Sequence, residues 1–532
     1  MNQIRHVSRP VTPFDGMDIR TLIDGQAKRR ADHPFLIWEP FEGDGAIWSY
    51  AAFADRVHRF AAGLAARGVR AGERVLVHLE NCPEFLIAWL GSAYAGAVPV
   101  TTNINSTEDE LAYFVRHSRA VGAITQQSFA ALVDKVLPIS AWRALAIDEL
   151  DTPAAQNFEP FSAINADPTT LPQRAYDPWT PFGIQYTSGT TARPKAVLWT
   201  HANALWGAKL CAAHEGLRAD DVHLTYLPLF HTNAQVYSVL ASLWVGATVV
   251  LQPRFSASRF WPVSLRHGAT WTSMVPFCAR ALCQQPVPSD HCYRFFGNGV
   301  CDAPWDGLLG ARSLGWWGMT ETIAHGSVGS IHHPDAPLSM GRPSPGYRLH
   351  VLDETRRPVA PGGIGDLYVE GQPGVSLFLE YADDPAATAA AFTEDGLFIT
   401  GDRVRLGEDG WLYFADRSKD MLKVGGENVA ASEIERVIST VPGVSEVAVV
   451  GMPHPMLDEV PVAFVLAPNG ESEALEQKIT EACERNLAAF KRPRLIRFVE
   501  SLPRSTLEKI AKAELRQRLR DERTMAEDLT GS

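Results

Sequence analysis

From Tyr50 to Thr125 the spacing of apolar residues keeps switching between helical and extended, with only short links between the segments. Tyr50 to Arg67 repeats at helical spacing, Arg74 to Leu79 is a short apolar strand, and Phe85 to Tyr94 is helical again. A strand from Ala97 to Thr101 follows, then a helix opened by "STEDE" with acids in its first turn, then the strand Val121 to Thr125. Strands joined through helices run parallel, so this part predicts a mostly parallel sheet covered by helices. Asn203 to Gln252 repeats the theme: a helix, the strand His223 to Tyr226, another helix, then "ATVVLQ".

The pattern changes twice further along. Between Arg348 and Arg417, "YRLHVLDE", "RRPVAPGGIGDLYVEG" and "GWLYFADR" are short strands separated by Gly and Pro turns, which predicts a small antiparallel unit. After Arg417, "DMLKVGGENVAASEIERVIST", "VSEVAVVGMPH", "VPVAFVLAPNG", a charged helix from Ser472 to Leu487 and "RLIRFVESLP" read as a compact α+β unit. The expected division is a large domain over 1–417 and a small one over 418–532. The tail after Arg520 is expected to fray.

The 532 residues are enough for two domains, and 46% apolar with 21% charged residues is ordinary for a globular protein. A net charge of −12 argues against a general nucleic-acid or anionic-membrane surface, so any anion must be caught locally. The longest apolar run, Phe85 to Val100, is interrupted by Gly91 and Gly96 and broken by Pro99, too short to span a bilayer. The first residues lack the apolar core of a secretory signal. Seven cysteines without a C-x-x-C pair suggest reduced thiols in the cytoplasm. The cluster Cys278, Cys283, Cys292 and Cys301, with His291 beside it, matches no common zinc module.

One stretch stands out chemically. "YTSGTTARPKAVLWTH" gathers small and hydroxyl residues between a strand ending at Tyr186 and another from Ala196 to Trp199. Short side chains and a glycine let backbone amides approach an anion, and a phosphate chain fits. It is not a Walker A loop, because Lys195 is preceded by Pro194 and followed by Ala196. Taken alone, it could also be a polar turn.

Four more stretches, "FFGNGV", "GWWGMTET", "TGDRVRLGEDGWLYFADRSKDMLKVGGENV" and "LPRSTLEKIAKAELR", follow it in order. Together they resemble the adenylate-forming superfamily of acyl-CoA synthetases, non-ribosomal adenylation domains and firefly luciferase, over nearly the whole chain. "PLFHTNAQ", "FSASRFW", "RSKDMLKVGGENV" and "AAFKRPRLIRFVESLPR" look most like the carnitine/crotonobetaine-CoA ligase branch.

The resemblance implies an ATP-dependent ligase: a carboxylic acid attacks the α-phosphate of ATP, pyrophosphate leaves, and CoA displaces AMP from the acyl-AMP. Loading a carrier protein, or nucleotide binding without turnover, are the alternatives. It implies that Thr187, Ser188, Gly189, Thr190, Thr191 and Lys195 hold the departing phosphates, although Ala192 and Ala196 stand where glycine is usual. Gly297, Asn298 and Gly299 would lie along adenine. Trp317, where tyrosine is usual, would stack on it, within the segment that continues through Gly318 and Met319. Thr320 would bond the α-phosphate and Glu321 would bind Mg²⁺. Asp402 and Arg417 would hold the ribose, Lys419 would be the hinge, and Lys509 would bridge carboxylate and α-phosphate, with Glu508 in place of the usual glycine. Lys423, Gly425 and Gly426 would meet CoA in the second step, after the small domain has turned. His231, Asn233, Trp316 and Ile323 would line the acyl pocket. The partners implied are a small acid, ATP and CoA, without nucleic acid or a membrane span, and with room for a homodimer.

Overall fold

The computed structural model describes residues 11–146, 156–187, 194–417, 421–467, 470, 472–503, 510 and 512–530. The predicted alternation is realised as an eight-stranded sheet. Arg74–His78 runs parallel to both Val98–Thr101 and Gly122–Thr125. Helix Pro83–Ala95 packs on this sheet and against helix Tyr50–Ala66, which in turn meets the strands Pro34–Trp38 and Ala46–Ser49 of a second sheet. Gly91 is what brings these two helices together, since a Cβ there would stand 2.6 Å from a Phe60 ring carbon. The "STEDE" segment caps helix Glu108–Ser118 reciprocally: Thr107 accepts from the Glu110 backbone while Glu110 accepts from that of Thr107.

A second sheet has nine strands and a parallel middle: Val222–Thr225, Thr248–Leu251, Trp271–Ser273, Phe295–Asn298 and Arg312–Trp317. Between its first two strands the chain forms a π-helix, Asn233–Leu240, that runs into helix Ala241–Val245. The sequence predicts a helix here but not the wider winding, which is found disproportionately at functional sites. The antiparallel unit is a four-stranded sheet, Arg348–Leu352, Ile364–Glu370, Phe398–Leu406 and Leu412–Arg417.

The small C-terminal domain folds on its own apolar core, in which Val429, Ile434, Ile438, Val449, Ala463 and Ile479 are all fully buried. Its sheet joins the hairpin Met421–Val424 and Glu427–Ala430 to Asp458–Leu466, Glu446–His454 and Leu495–Val499. The expectation of a frayed tail is corrected: helix Lys512–Thr530 continues past Arg520. Its Arg, Glu, Ala, Met and Leu residues are good helix formers, and no glycine intervenes before Gly531. Among the described residues no helix is long and apolar enough to cross a membrane.

Candidate active site

The strands Trp271–Ser273, Phe295–Asn298 and Arg312–Trp317 end side by side, and ligands of open α/β sheets gather at such carboxyl ends. Gly297 is required there, because a Cβ would fall 1.7 Å from the Trp316 ring. Gly299 faces open space. Asn298 is spent on structure: its amide donates to Ser313 Oγ at 2.6 Å and its carbonyl accepts from the Val300 amide at 2.8 Å.

The next residues in the chain spread over the strand end. Trp316 is buried against His325, stacked at 4.4 Å between ring centres, and meets Tyr237 edge-on at 5.8 Å. Trp317 donates its indole N–H to Asp402 Oδ2 at 2.9 Å, and both side chains are buried. An indole is a donor only, so tryptophan here orients the carboxylate. Gly326 leaves room for the ring, since a Cβ there would stand 2.6 Å from it. Asp402 in turn pairs across its sheet with Arg417. A Cβ on Gly318 would press on the Tyr237 hydroxyl at 2.4 Å, and the Met319 amide donates to Thr322 Oγ1 at 3.0 Å.

Thr320–Thr322 form one turn of 3₁₀-helix. Thr320 Oγ1 lies 3.3 Å from Thr232 Oγ1, which donates to Gln185. Gln185 donates to Gln235 at 2.6 Å, and Gln235 to Thr101 at 3.2 Å. This buried chain of amides and hydroxyls ties Thr320, just past a strand of the nine-stranded sheet, to Gln185 and Thr101 of the eight-stranded one. Glu321 is 5% exposed and accepts from the Tyr381 hydroxyl at 2.9 Å. Lys195 Nζ stands 4.5 Å from the Tyr381 ring centre, so the structure brings Lys195 and Glu321 to one place. Burial pushes the Glu321 carboxyl above the usual carboxylate range; Tyr381 and Lys195 oppose this, and Asp402 adds to it.

Ile323 has φ +62° and ψ −50°, and the Ala324 amide donates to the Thr322 carbonyl at 2.6 Å. This is a γ-turn of the rare, strained sense, held by a fully buried β-branched residue. Packing keeps it in place: the Ile323 side chain fills the space that a Cβ on Gly207 would need.

The hairpin of the small domain meets the large one at the same cleft. His231 Nε2 lies 3.1 Å from both carboxylate oxygens of Glu427. Gly425 and Gly426 turn the hairpin with φ of +59° and +89°, which only glycine adopts readily, and Val275 lies against Gly426. Lys423 is fixed by its amide, which donates to Glu459 at 2.9 Å. Asn233, at the start of the π-helix, keeps a buried Oδ1 without a hydrogen-bond partner among the described residues. Away from the cleft, Lys491 reaches Glu433 of its own domain at 2.9 Å and Glu110 of the large domain. Arg280 bonds Asp458 at 2.9 Å across the same boundary.

The expected site residues therefore divide. Lys195, Gly297, Gly299, Trp317, Thr320, Glu321 and Asp402 converge on one cleft, with His231 and Trp316 beside it. Thr187 pairs with Lys195 at the mouth of the hairpin. Ser188, Gly189, Thr190, Thr191, Lys419 and Lys509 lie outside the described residues. Tyr381, Gln185 and Gln235 escape sequence reading: Gln235 closes "PLFHTNAQ" and Gln185 precedes "YTSGTT", but only the fold shows that they bond to one another and that Tyr381 meets Glu321.

Residues 23–382 match the family described as AMP-binding enzyme, and residues 433–509 match the AMP-binding enzyme C-terminal domain. The chain is 35% identical over 523 residues to a crotonobetaine/carnitine–CoA ligase of Proteus mirabilis, covering 93% of this chain and 98% of that one. A double mutant of o-succinylbenzoate CoA synthetase (MenE) from Bacillus subtilis, bound with its product analogue OSB-NCoA, superposes with a TM-score of 0.81 at 25% identity, over 94% of this chain and 98% of that one. MenE in complex with AMP superposes with a TM-score of 0.66 at 25% identity, over 93% and 98% of the two chains. The chain belongs to the AMP-binding enzyme family.

Proposed function

We propose that the protein is an AMP-forming acid–CoA ligase: it joins a small carboxylic acid to AMP with loss of pyrophosphate, then passes the acyl group to CoA. The observation that carries this reading is the meeting of Lys195, Glu321 and the Trp317–Asp402 pair at the carboxyl ends of parallel strands. A carboxylate and a triphosphate repel each other, so the first step needs cations and fixed donors at the phosphates.

In this reading Lys195, with Thr187 through Thr191, holds the β- and γ-phosphates. Thr320 donates to the α-phosphate from a hydroxyl already fixed by Thr232. Gly297 to Gly299 lie against adenine, and Asp402, aimed by Trp317, accepts from the ribose with Arg417 beside it. Lys509 bridges the acid and the α-phosphate. Glu321 would hold Mg²⁺, which prefers carboxylate oxygen, with its side chain oriented by the Tyr381 hydroxyl on Oε1. Mg²⁺ bound there would offset phosphate charge.

We place the domain boundary between Arg417 and Ser418, with Lys419 as the pivot. The better superposition on MenE carrying a CoA-product analogue than on MenE carrying AMP supports reading the described arrangement as the one for thioester formation. Gly425 and Gly426 then flank the path of the CoA thiol, and His231, held by Glu427, sits beside the acyl-AMP. Trp316, backed by His325 and Tyr237, walls the acyl pocket and keeps it short. Unpaired cysteines fit a cytoplasmic protein, where ATP and CoA are available.

The test is ATP–pyrophosphate exchange across short, aromatic, dicarboxylic and betaine-type acids, crotonobetaine and carnitine included, followed by thioester detection with CoA or a carrier protein. Exchange with at least one acid and thioester only on CoA is expected. Failure of every acid removes the reading, and thioester on the carrier alone replaces the second step.

A further inference from the structure

Behind the wall formed by Trp316, three residues of different chemistry converge in the interior. Cys211 lies on helix His201–His214 and Glu215 is the residue that ends it, so the two stand one turn apart on one face. His325 arrives from the other side, two residues beyond the strained turn at Ile323. Cys211 Sγ, a Glu215 carboxylate oxygen and a His325 ring nitrogen all lie within 4.8 Å of one another. All three residues are buried, at 0%, 1% and 0% exposure.

Three of their polar atoms are unspent. Glu215 Oε1 and both ring nitrogens of His325 are buried without a hydrogen-bond partner among the described residues. His325 Nε2 and Glu215 Oε1 stand 3.7 Å apart, beyond hydrogen-bond reach. Each such orphan costs about 1–3 kcal/mol, so three on facing side chains point to a guest that satisfies them together. Aromatic rings hold the imidazole in place: Tyr237 at 4.1 Å and Trp316 at 4.4 Å between ring centres.

We propose that Cys211, Glu215 and His325 form a binding site for a divalent transition metal of the zinc class. Thiolate sulfur, imidazole nitrogen and carboxylate oxygen are the donors such a borderline ion accepts. One thiolate, one carboxylate and a neutral imidazole cancel a charge of two, the balance a low-dielectric interior requires. Burial above all favours the protonated Cys211 thiol, the protonated Glu215 carboxyl and the neutral His325 ring; Glu215 adds to this at Cys211, Asp221 at Glu215 and His214 at His325. Binding therefore expels the thiol and carboxyl protons to solvent and needs no proton from His325. The ion ties the end of helix His201–His214 to the segment after Ile323, which sets the back of the acyl pocket. The site shares no residue with the one proposed around Glu321, and the inference does not rest on the ligase reading.

The experiment uses the full chain without a metal-binding tag, grown in zinc-supplemented medium and dialysed against metal-free buffer. Elemental analysis should find about one zinc per chain, and Cys211→Ser and Glu215→Gln should each lower affinity by at least about tenfold. Cobalt loading should give a sulfur-to-cobalt charge-transfer band that Cys211→Ser removes. Wild-type protein that holds no zinc and takes none up in competition with a chromophoric chelator overturns the proposal. So does zinc that persists undiminished in both variants.

Discussion

The Lys491 ammonium is buried between two carboxylates, Glu433 of its own domain and Glu110 of the large one. It stands where the two domains meet, and Thr107, which caps the helix bearing Glu110, also donates to the Asn486 carbonyl at 3.3 Å. Replacing Lys491 by Met leaves two acids facing each other away from water, and breaking a buried pair in this way costs about 3–5 kcal/mol. Lys491→Met is expected to loosen the docked small domain, read as faster proteolysis near residues 418–420. Adding Glu110→Gln should recover part of the loss in a double-mutant cycle.

The same cluster gives a pH dependence with a definite sign. Burial and the neighbouring Glu110 carboxylate raise Glu433 to about 7, while Lys491 opposes them. A carboxyl raised by folding stabilises the folded form when protonated, so its contribution is complete below the unfolded value and fades as pH rises through about 7. Domain docking followed by small-angle scattering should weaken as pH rises from the ordinary carboxylate value of 4.5 to about 7, and level off above it. Glu433→Gln should flatten the profile, and a wild-type profile that rises over this span would contradict the assignment.

His231 and Glu427 supply a second link with two limits. Burial works against charge on both, but each raises or lowers the other in the direction of an ion pair: His231 up, Glu427 down. The stabilisation from His231 is lost as pH climbs through its raised value, and that from Glu427 as pH falls through its lowered one. Glu427→Gln should slow CoA transfer from supplied acyl-AMP by about tenfold or more while sparing pyrophosphate exchange, a loss of about 1.4 kcal/mol in the barrier of that step alone. Equal loss in both assays would remove the role assigned to the pair.

Trp317→Phe keeps the ring and deletes the N–H that reaches Asp402. A buried hydrogen bond to a charged group contributes about 1.5–3 kcal/mol, so KM for ATP should rise by roughly tenfold or more with the acid's KM little changed. A rise confined to the acid would place Trp317 in the acyl pocket instead.

Lys509→Ala is expected to abolish acyl-AMP formation and spare thioester formation from supplied acyl-AMP. Single-turnover measurements of the two half-reactions decide this, and parallel loss would assign Lys509 to both.

Much of the large domain was legible because parallel strands and their helices follow one another along the chain. The pairing of Arg74–His78 with its neighbours needs only local links. The glycines at 297 and 299 were also legible, though for one of them the reason lies partly elsewhere: Gly297 makes room for Trp316 as well as for any base. What stayed hidden depends on residues distant in sequence. Glu110 and Lys491 are separated by 381 positions, and nothing near either announces the other. Tyr381 is one aromatic among many until the fold sets it between Lys195 and Glu321. Cys211 and Glu215 sit on an ordinary helix, and His325 completes them only after a turn that an isoleucine has no intrinsic reason to make.

That turn at Ile323 has a consequence for how such an enzyme could change its acid. On one side lie Thr320 and Glu321, assigned to phosphate and metal; on the other lies His325, against the back of Trp316. With a kinked isoleucine wedged between them, the spacing from nucleotide to tail end is gauged by the main chain and cannot be let out a notch. Accommodating a longer or bulkier acid must therefore come from trimming side chains such as Trp316, never from slackening the backbone that carries them.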